Sequence, residues 1–137
     1  MKIHTTNYKN TLIEIADDSP VSEGQEPPVK KDKKSVANLQ FEMLAKNPYK
    51  YTSDEVFFTV FATRNRIDEK DWEFERQHFF SKGQPCFRAS PLTKRYGWGV
   101  HSDENEKIAI HGAESPAYKK LIADETISKV KAMKSKR

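Results

Sequence analysis

The residues best suited to chemistry fall in one stretch without acidic side chains, from Arg76 to Ser102. Its central segment, Lys94–Gly99, has the sequence KRYGWG and combines two cations, two aromatic rings and two glycines. Cations attract anions, and glycines let a ligand come close to the backbone. We therefore predict a small-ligand or anion site, with these candidate residues: Arg88, Lys94, Arg95, Tyr96, Gly97, Trp98, Gly99, His101 and His111.

Two histidines of this set are expected to share one face of a hairpin. Side chains alternate along a strand, so if Val100 faces the core, His101 and His111 point the other way together. Gly97 and Gly99 then lie on the side of His101 and leave that face open to a ligand. The alternative is that both glycines receive a packed ring or helix and that the histidines are ordinary surface residues.

Cys86 is the only cysteine, so no disulfide can form within the chain. It shares a predicted strand face with Arg88, and a guanidinium beside a thiol favours the nucleophilic thiolate. Cys86 is therefore a candidate reactive thiol. The alternative is a buried cysteine with a purely structural role.

Other chemistries find less support in the sequence. The four histidines lack the close spacing of metal ligands, and no phosphate-loop, dinucleotide, hydrolase or metalloprotease motif occurs. We therefore predict no metal, no cofactor and no assignable catalytic residue. The cations and rings of Lys94–Gly99 also suit nucleic acid, but the repeated aromatics of an RNA-binding sheet and the known DNA-binding motifs are missing. We do not expect nucleic acid as the partner.

Composition is typical of one small basic domain spanning residues 1–137. Of the 137 residues, 36% are hydrophobic and 32% are charged, and the net charge is +4. No apolar run approaches the roughly 18 residues of a membrane span. With a single cysteine and no apolar leader after Met1, we expect a soluble cytoplasmic protein.

Patterning along the chain predicts an α+β fold, in which about four helices pack on one face of a small antiparallel sheet of about three to four strands. A capping box at Thr52–Glu55 opens the second helix. An exposed loop is expected at about 20–34 and a basic C-terminal tail at about 131–137. The remaining predicted elements are strands at Thr11–Ala16, Cys86–Ser90, Arg95–Ser102 and Lys107–His111, a turn at Pro91–Lys94, and helices from Ser35, over about Asp68–Lys82, and from Ser115 through Ile127 and Val130.

Specific sequence strings run through nearly the whole chain: HTTNY (His4–Tyr8), IADDSPVSEG (Ile15–Gly24), NPYKYTSDEV (Asn47–Val56), SKGQPCFRASPLTKRYGWGVHSDE (Ser81–Glu104) and KAMKSKR (Lys131–Arg137). Together they resemble an uncharacterised microbial family, catalogued as domain of unknown function 6157. The resemblance implies a short stand-alone domain and brings no activity or site residue with it. The segment Glu23–Lys34 matches the family least well.

These observations favour a small intracellular ligand- or anion-binding domain that uses the strand pair from residue 86 to residue 101. The alternatives are a protein-protein interaction module, through the Pro20–Lys34 loop or the basic tail, an enzyme of unrecognised type, or a nucleic-acid binder. A ligand site should form a cavity ringed by Arg88, Arg95, Tyr96 and His101, whereas an interaction module should expose an apolar patch.

Overall fold

A computed structural model describes residues 3–136 of the chain, which fold as a four-stranded sheet with five α-helices. The elements, in chain order, are β1 (Thr11–Glu14), α1 (Val36–Lys46), α2 (Ser53–Arg64), α3 (Trp72–Phe79), α4 (Pro91–Lys94), β2 (Trp98–Ser102), β3 (Ile108–Gly112), α5 (Pro116–Ala123) and β4 (Ser128–Lys131). The strand order is β3-β2-β1-β4, and β1 pairs antiparallel with β2 but parallel with β4. The α+β prediction is confirmed, but the sheet is mixed rather than antiparallel.

The sheet carries helices on both of its faces. On one face Val100 packs in the main core with Leu44 of α1 and Val56 of α2. On the other face the ring of Tyr118, from α5, occupies the space where a side chain on Gly99 would stand. Its hydroxyl also accepts a hydrogen bond of 3.1 Å from the Ile15 backbone N–H. The expectation that all helices share one face therefore does not hold for α5.

Local capping signals explain where several helices begin. Thr52 and Glu55 form the predicted capping box of α2, in which each side chain accepts a backbone N–H of the other residue. Ser115 caps α5, and proline occupies its first turn. The third predicted helix is shorter than expected: a 3₁₀ turn at Glu69–Asp71 leads into α3, which ends at Phe79. A second apolar cluster around Phe58, with Ala62 and Phe80, joins α3 to α2.

Two further sequence predictions are wrong. The segment Cys86–Ser90 is not a strand, because a 3₁₀ turn at Phe87–Ala89 buries Phe87 in the core and leads directly into α4. The turn at Pro91–Lys94 is this short helix, capped by Ser90, and β2 starts at Trp98 instead of Arg95. The strand pair predicted from residue 86 to residue 101 does not form; β2 pairs with β1 and β3.

The end of the chain also differs from prediction. The final helix ends at Ala123, and Val130, expected on its apolar stripe, lies in β4. Lys131 belongs to the same strand, and Ala132 after it is buried. The described part of the basic tail is held to the domain, because the backbone N–H groups of Ser135 and Lys136 both donate to Asp18 Oδ2. Arg137 and residues 1–2 lie outside the described residues.

The Pro20–Lys34 loop is mostly exposed, but its middle is attached to the domain. The Gln25 N–H donates to the carbonyl of Tyr96 at 2.9 Å. Pro27 is fully buried, and its carbonyl accepts a hydrogen bond of 2.8 Å from the side-chain amide of Asn38 on α1. Within residues 3–136, no helix is long and apolar enough to cross a membrane.

Candidate functional site

The cations and the thiol of the predicted site have different partners in the fold. Arg88 Nε donates to the carbonyl of Lys131 at 2.7 Å, which ties the 3₁₀ turn to the end of β4. The Cys86 thiol is partly buried and lies 3.6 Å from the Tyr8 hydroxyl. Burial, together with this contact to Cys86, raises the pKa of Tyr8. Arg95 is exposed and follows α4, whereas Lys94 is the last residue of that helix.

The segment Tyr96–Trp98 holds the Pro20–Lys34 loop in place. Gly97 adopts a φ of 76°, and a side chain there would stand 2.2 Å from the Glu23 carbonyl oxygen. The indole N–H of Trp98 donates to the Gln25 carbonyl at 2.8 Å, and its ring lies 5.4 Å from that of Phe41. Other groups therefore pack against both glycines: the Glu23 carbonyl against Gly97 and the Tyr118 ring against Gly99. This is the alternative that the sequence had left open.

Arg88, Tyr96 and His101 contact three different parts of the molecule, namely Lys131, Gln25 and Tyr49. What the structure does bring together is the histidine pair. His101 on β2 and His111 on β3 lie on the same face of the sheet, because Gly99 of β2 pairs with His111. Their ring centroids are 6.4 Å apart.

Both histidines contact one tyrosine that the sequence analysis did not single out. The Tyr49 hydroxyl lies 2.7 Å from His101 Nδ1 and 3.0 Å from His111 Nε2. Tyr49 belongs to the connection between α1 and α2, where its φ is 58° and its N–H donates to the Ile108 carbonyl at 2.9 Å. We refer to Tyr49, His101 and His111 as the tyrosine-histidine cluster.

Burial favours the uncharged form of all three members of the cluster. It lowers the pKa of His101, although the charges of Asp103 and Asp124 oppose this effect. Burial and the neighbouring His101 lower the pKa of His111. Burial also raises the pKa of Tyr49, and Asp103 adds to that effect.

The cluster borders a small cavity of about 220 Å³ under α5. Tyr49 and His111 line this cavity together with Ala117, Lys120, Leu121 and Asp124. Lys120 is the cation of this lining. The Asp124 carboxylate accepts hydrogen bonds from the backbone N–H and the hydroxyl of Thr126, which lower its pKa. Asp124 therefore stays negatively charged, and Lys120 forms no ion pair with any of residues 3–136.

Strand alternation was the one sequence signal that pointed to this cluster, since it placed both histidines on one face. Tyr49 is 52 residues from His101 and 62 residues from His111, so no local spacing could connect them. Among the described residues, no group of three or more His, Cys, Asp or Glu side chains is arranged to hold a metal ion.

Comparison with known proteins adds a family and no function. No curated protein and no solved structure gives a significant match to the chain. A family model, described as a family of unknown function (DUF6157), matches residues 3–137, which is essentially the whole chain. The chain therefore belongs to the family of unknown function DUF6157, as the strings His4–Tyr8 and Ser81–Glu104 had indicated.

Proposed function

We propose that this protein is a small-ligand-binding domain that holds a compact anion at the tyrosine-histidine cluster. One observation carries the proposal: a single hydroxyl, that of Tyr49, lies within hydrogen-bond distance of both His101 and His111 at the edge of a cavity. The two remaining ring nitrogens, His101 Nε2 and His111 Nδ1, bond to no other described residue and are not buried. Of the two histidines, His111 lines the cavity itself.

The hydrogen-bonding capacity of the phenol determines what these nitrogens offer. A tyrosine hydroxyl has one proton to donate and accepts from other donors. When it donates to one imidazole and accepts an N–H from the other, one outward nitrogen is a donor and the other is an acceptor. Uptake of one proton by the acceptor turns both outward nitrogens into donors. A compact anion, such as a sulfate, phosphate or carboxylate group, suits this protonated form.

Lys120 provides a positive charge for an anionic ligand. It lines the same cavity and has no ion-pair partner among the described residues, and the Asp124 carboxylate is the one negative charge of that lining. A cavity of about 220 Å³ is smaller than the roughly 300–1,000 Å³ of most ligand sites, so the bound group must be small. The proposed ligand is still a small anion, as predicted from the sequence. Its proposed site is the tyrosine-histidine cluster instead of the strand pair from residue 86 to residue 101.

Titration with inorganic sulfate tests this proposal, because the charge of sulfate is constant over the pH range of histidine. We expect the imidazole Cε1–H resonances of His101 and His111 to shift in NMR spectra, while that of the exposed His78 on α3 stays in place. Replacing Tyr49 with phenylalanine should weaken binding by about tenfold, the loss expected for a hydrogen bond in a charged site. His78→Gln is the matched control and should bind as the unchanged protein does.

Affinity should also depend on pH with a defined sign. Anion binding requires one extra proton and raises the histidine pKa, so sulfate should bind about tenfold or more tightly when the pH falls from about 7.5 to about 5.5. The proposal fails if sulfate at tens of millimolar moves neither cluster resonance at the lower pH, or if the His78→Gln protein loses binding as Tyr49→Phe does.

The interaction-module alternative receives less support. Its two proposed surfaces, the Pro20–Lys34 loop and the basic tail, use part of their backbone in hydrogen bonds to Tyr96 and Asp18. A segment held in this way cannot wrap a partner without first losing those bonds.

A further inference from the structure

A groove between α2 and α3 contains two adjacent cavities, of about 570 and 600 Å³. The larger one has an apolar wall formed by Met43, Tyr51, Phe58 and Trp72. Glu73 and Arg76 of α3 line both cavities and therefore lie at their junction. The volume and the aromatic wall are typical of a small-molecule site.

Neither of the two charges at the junction forms a close ion pair with another described residue. Glu73 and Arg76 are three residues apart on one helix, so their side chains are neighbours on the same helical face. The Arg76 guanidinium lies over the Phe80 ring, 5.8 Å from its centroid, which holds the cation at the groove wall. The groove thus presents one anion and one cation side by side.

The other carboxylates of the groove are already occupied. Asp54 accepts hydrogen bonds of 2.7 Å from the Thr5 hydroxyl, the Thr6 N–H and the Thr6 hydroxyl. Glu55 accepts the Thr52 N–H at 2.9 Å and lies 3.7 Å from the Lys107 ammonium. Although desolvation opposes it, the hydrogen bonds with Thr52 and the charges of Lys107 and Arg76 lower the pKa of Glu55. The charges available to a ligand are therefore those of Glu73 and Arg76, which have opposite signs.

We infer that this groove is a second binding site, for a small zwitterion with an apolar body, of which a free α-amino acid with an apolar side chain is the simplest example. The guanidinium of Arg76 binds the ligand carboxylate through two parallel hydrogen bonds, and Glu73 binds the ammonium. The apolar side chain enters the larger cavity, against Tyr51, Phe58 and Trp72. This site shares no residue with the tyrosine-histidine cluster and does not depend on the function proposed for it.

The experiment compares L-phenylalanine with two analogues that each lack one charge, 3-phenylpropionate and phenethylamine. The indole N–H resonance of Trp72 reports on the groove, and that of Trp98, which packs beside Gly24 on the sheet, is the internal control. We expect L-phenylalanine to shift the Trp72 resonance and to leave Trp98 unchanged. Each analogue should bind at least about tenfold more weakly, since it loses one charge-assisted hydrogen-bonding group.

Variants locate the site on α3. Arg76→Gln and Glu73→Gln should each weaken L-phenylalanine binding by about tenfold, because each removes one charged partner. Both side chains are exposed and form no close ion pair with another described residue, so the variants should keep the native far-UV circular dichroism. Glu69→Gln is the control, as this exposed acid just before α3 lines neither cavity. The inference is overturned if either analogue binds as tightly as phenylalanine, or if phenylalanine at tens of millimolar leaves the Trp72 resonance unmoved.

Discussion

Gly97 and Gly83 differ in whether their backbone conformation and surroundings leave room for a side chain. Gly97 has a φ of 76°, and a Cβ atom there would meet the Glu23 carbonyl carbon and oxygen at 2.6 and 2.2 Å. Gly83 has an ordinary φ, and the nearest neighbour of its Cβ would be a His4 ring nitrogen at 3.9 Å. The glycine that the sequence made a ligand-site candidate is therefore required by the backbone of the loop above it.

Gly97→Ala should destabilise the protein by about 2–5 kcal/mol, because a left-handed conformation and a clash with backbone are added together. Gly83→Ala should change stability by less than about 1 kcal/mol. The free energy of unfolding in urea measures both. Equal effects of the two substitutions would contradict the close contact between Gly97 and Glu23.

For the two histidines, unlike Gly97, the position predicted from the sequence agrees with the structure. Strand alternation places His101 and His111 on one face, and the structure confirms this placement. Tyr49, which gives the pair a shared hydrogen-bond partner, comes from a turn between two helices. The prediction found two of the three residues because alternation is a local property, whereas the approach of Tyr49 is not.

At the scale of elements, local hydrogen bonds made the helix starts predictable. The capping box of Thr52 and Glu55 joins residues three positions apart, so its pattern is visible in the sequence. The segment Cys86–Ser90 had no such signal. Five residues with alternating polarity suit a strand or a 3₁₀ turn equally well, and the burial of Phe87 in the core decided between them.

The first turn of α2 also holds the N-terminal segment through Asp54, a contact that local patterns do not reveal. Asp54→Ala should lower stability by at least about 2 kcal/mol, because it removes the acceptors of all three hydrogen bonds that Thr5 and Thr6 donate. Hydrogen exchange of the Thr6 amide should accelerate in this variant. The control is Asp71→Ala, since Asp71 precedes α3 without any side-chain capping bond. Unchanged exchange at Thr6 would contradict the role of Asp54.

At the scale of the whole molecule, the C-terminal segment adds the fourth strand of the sheet and then contacts Asp18, shortly after β1. β4 pairs parallel with β1, and the N–H of Met133 donates to the Arg88 carbonyl at 2.8 Å. The Asp18 carboxylate accepts hydrogen bonds from the backbone N–H groups of Ser135 and Lys136. The backbone hydrogen bond from Lys136, which outweighs the opposing effect of desolvation, lowers the pKa of Asp18, and the bond from Ser135 adds to this.

A chain that ends at Ala132 should melt a few degrees lower than the full chain at pH 7, because these hydrogen bonds are lost. Asp18→Asn should lower the melting temperature of the full chain but add little in the shortened one, since both changes remove the same contacts. Glu104→Gln, at an exposed position in the hairpin loop, is the control and should have no effect.

The effect of Asp18→Asn should also depend on pH. The folded-state pKa of Asp18 lies below its ordinary value, so its contribution is present above the unfolded pKa, near 3.9, and is lost as the pH falls through the folded value. Thermal unfolding across a pH series from neutral to acid measures the difference between the variant and the unchanged protein. A difference that stays constant across this range would contradict the contact.

Local sequence patterns by themselves determined the α+β class, the starts of α2 and α5, the hairpin of β2 and β3, and the common face of His101 and His111. Each of these depends on residues that are close along the chain, where spacing directly reflects hydrogen bonding and burial. Only the tertiary structure decided the parallel β1–β4 pairing, the packing of Tyr118 on Gly99, and the meeting of Tyr49 with the histidines. These contacts join residues far apart in the chain, and they form because the main core fixes the positions of the helices around the sheet.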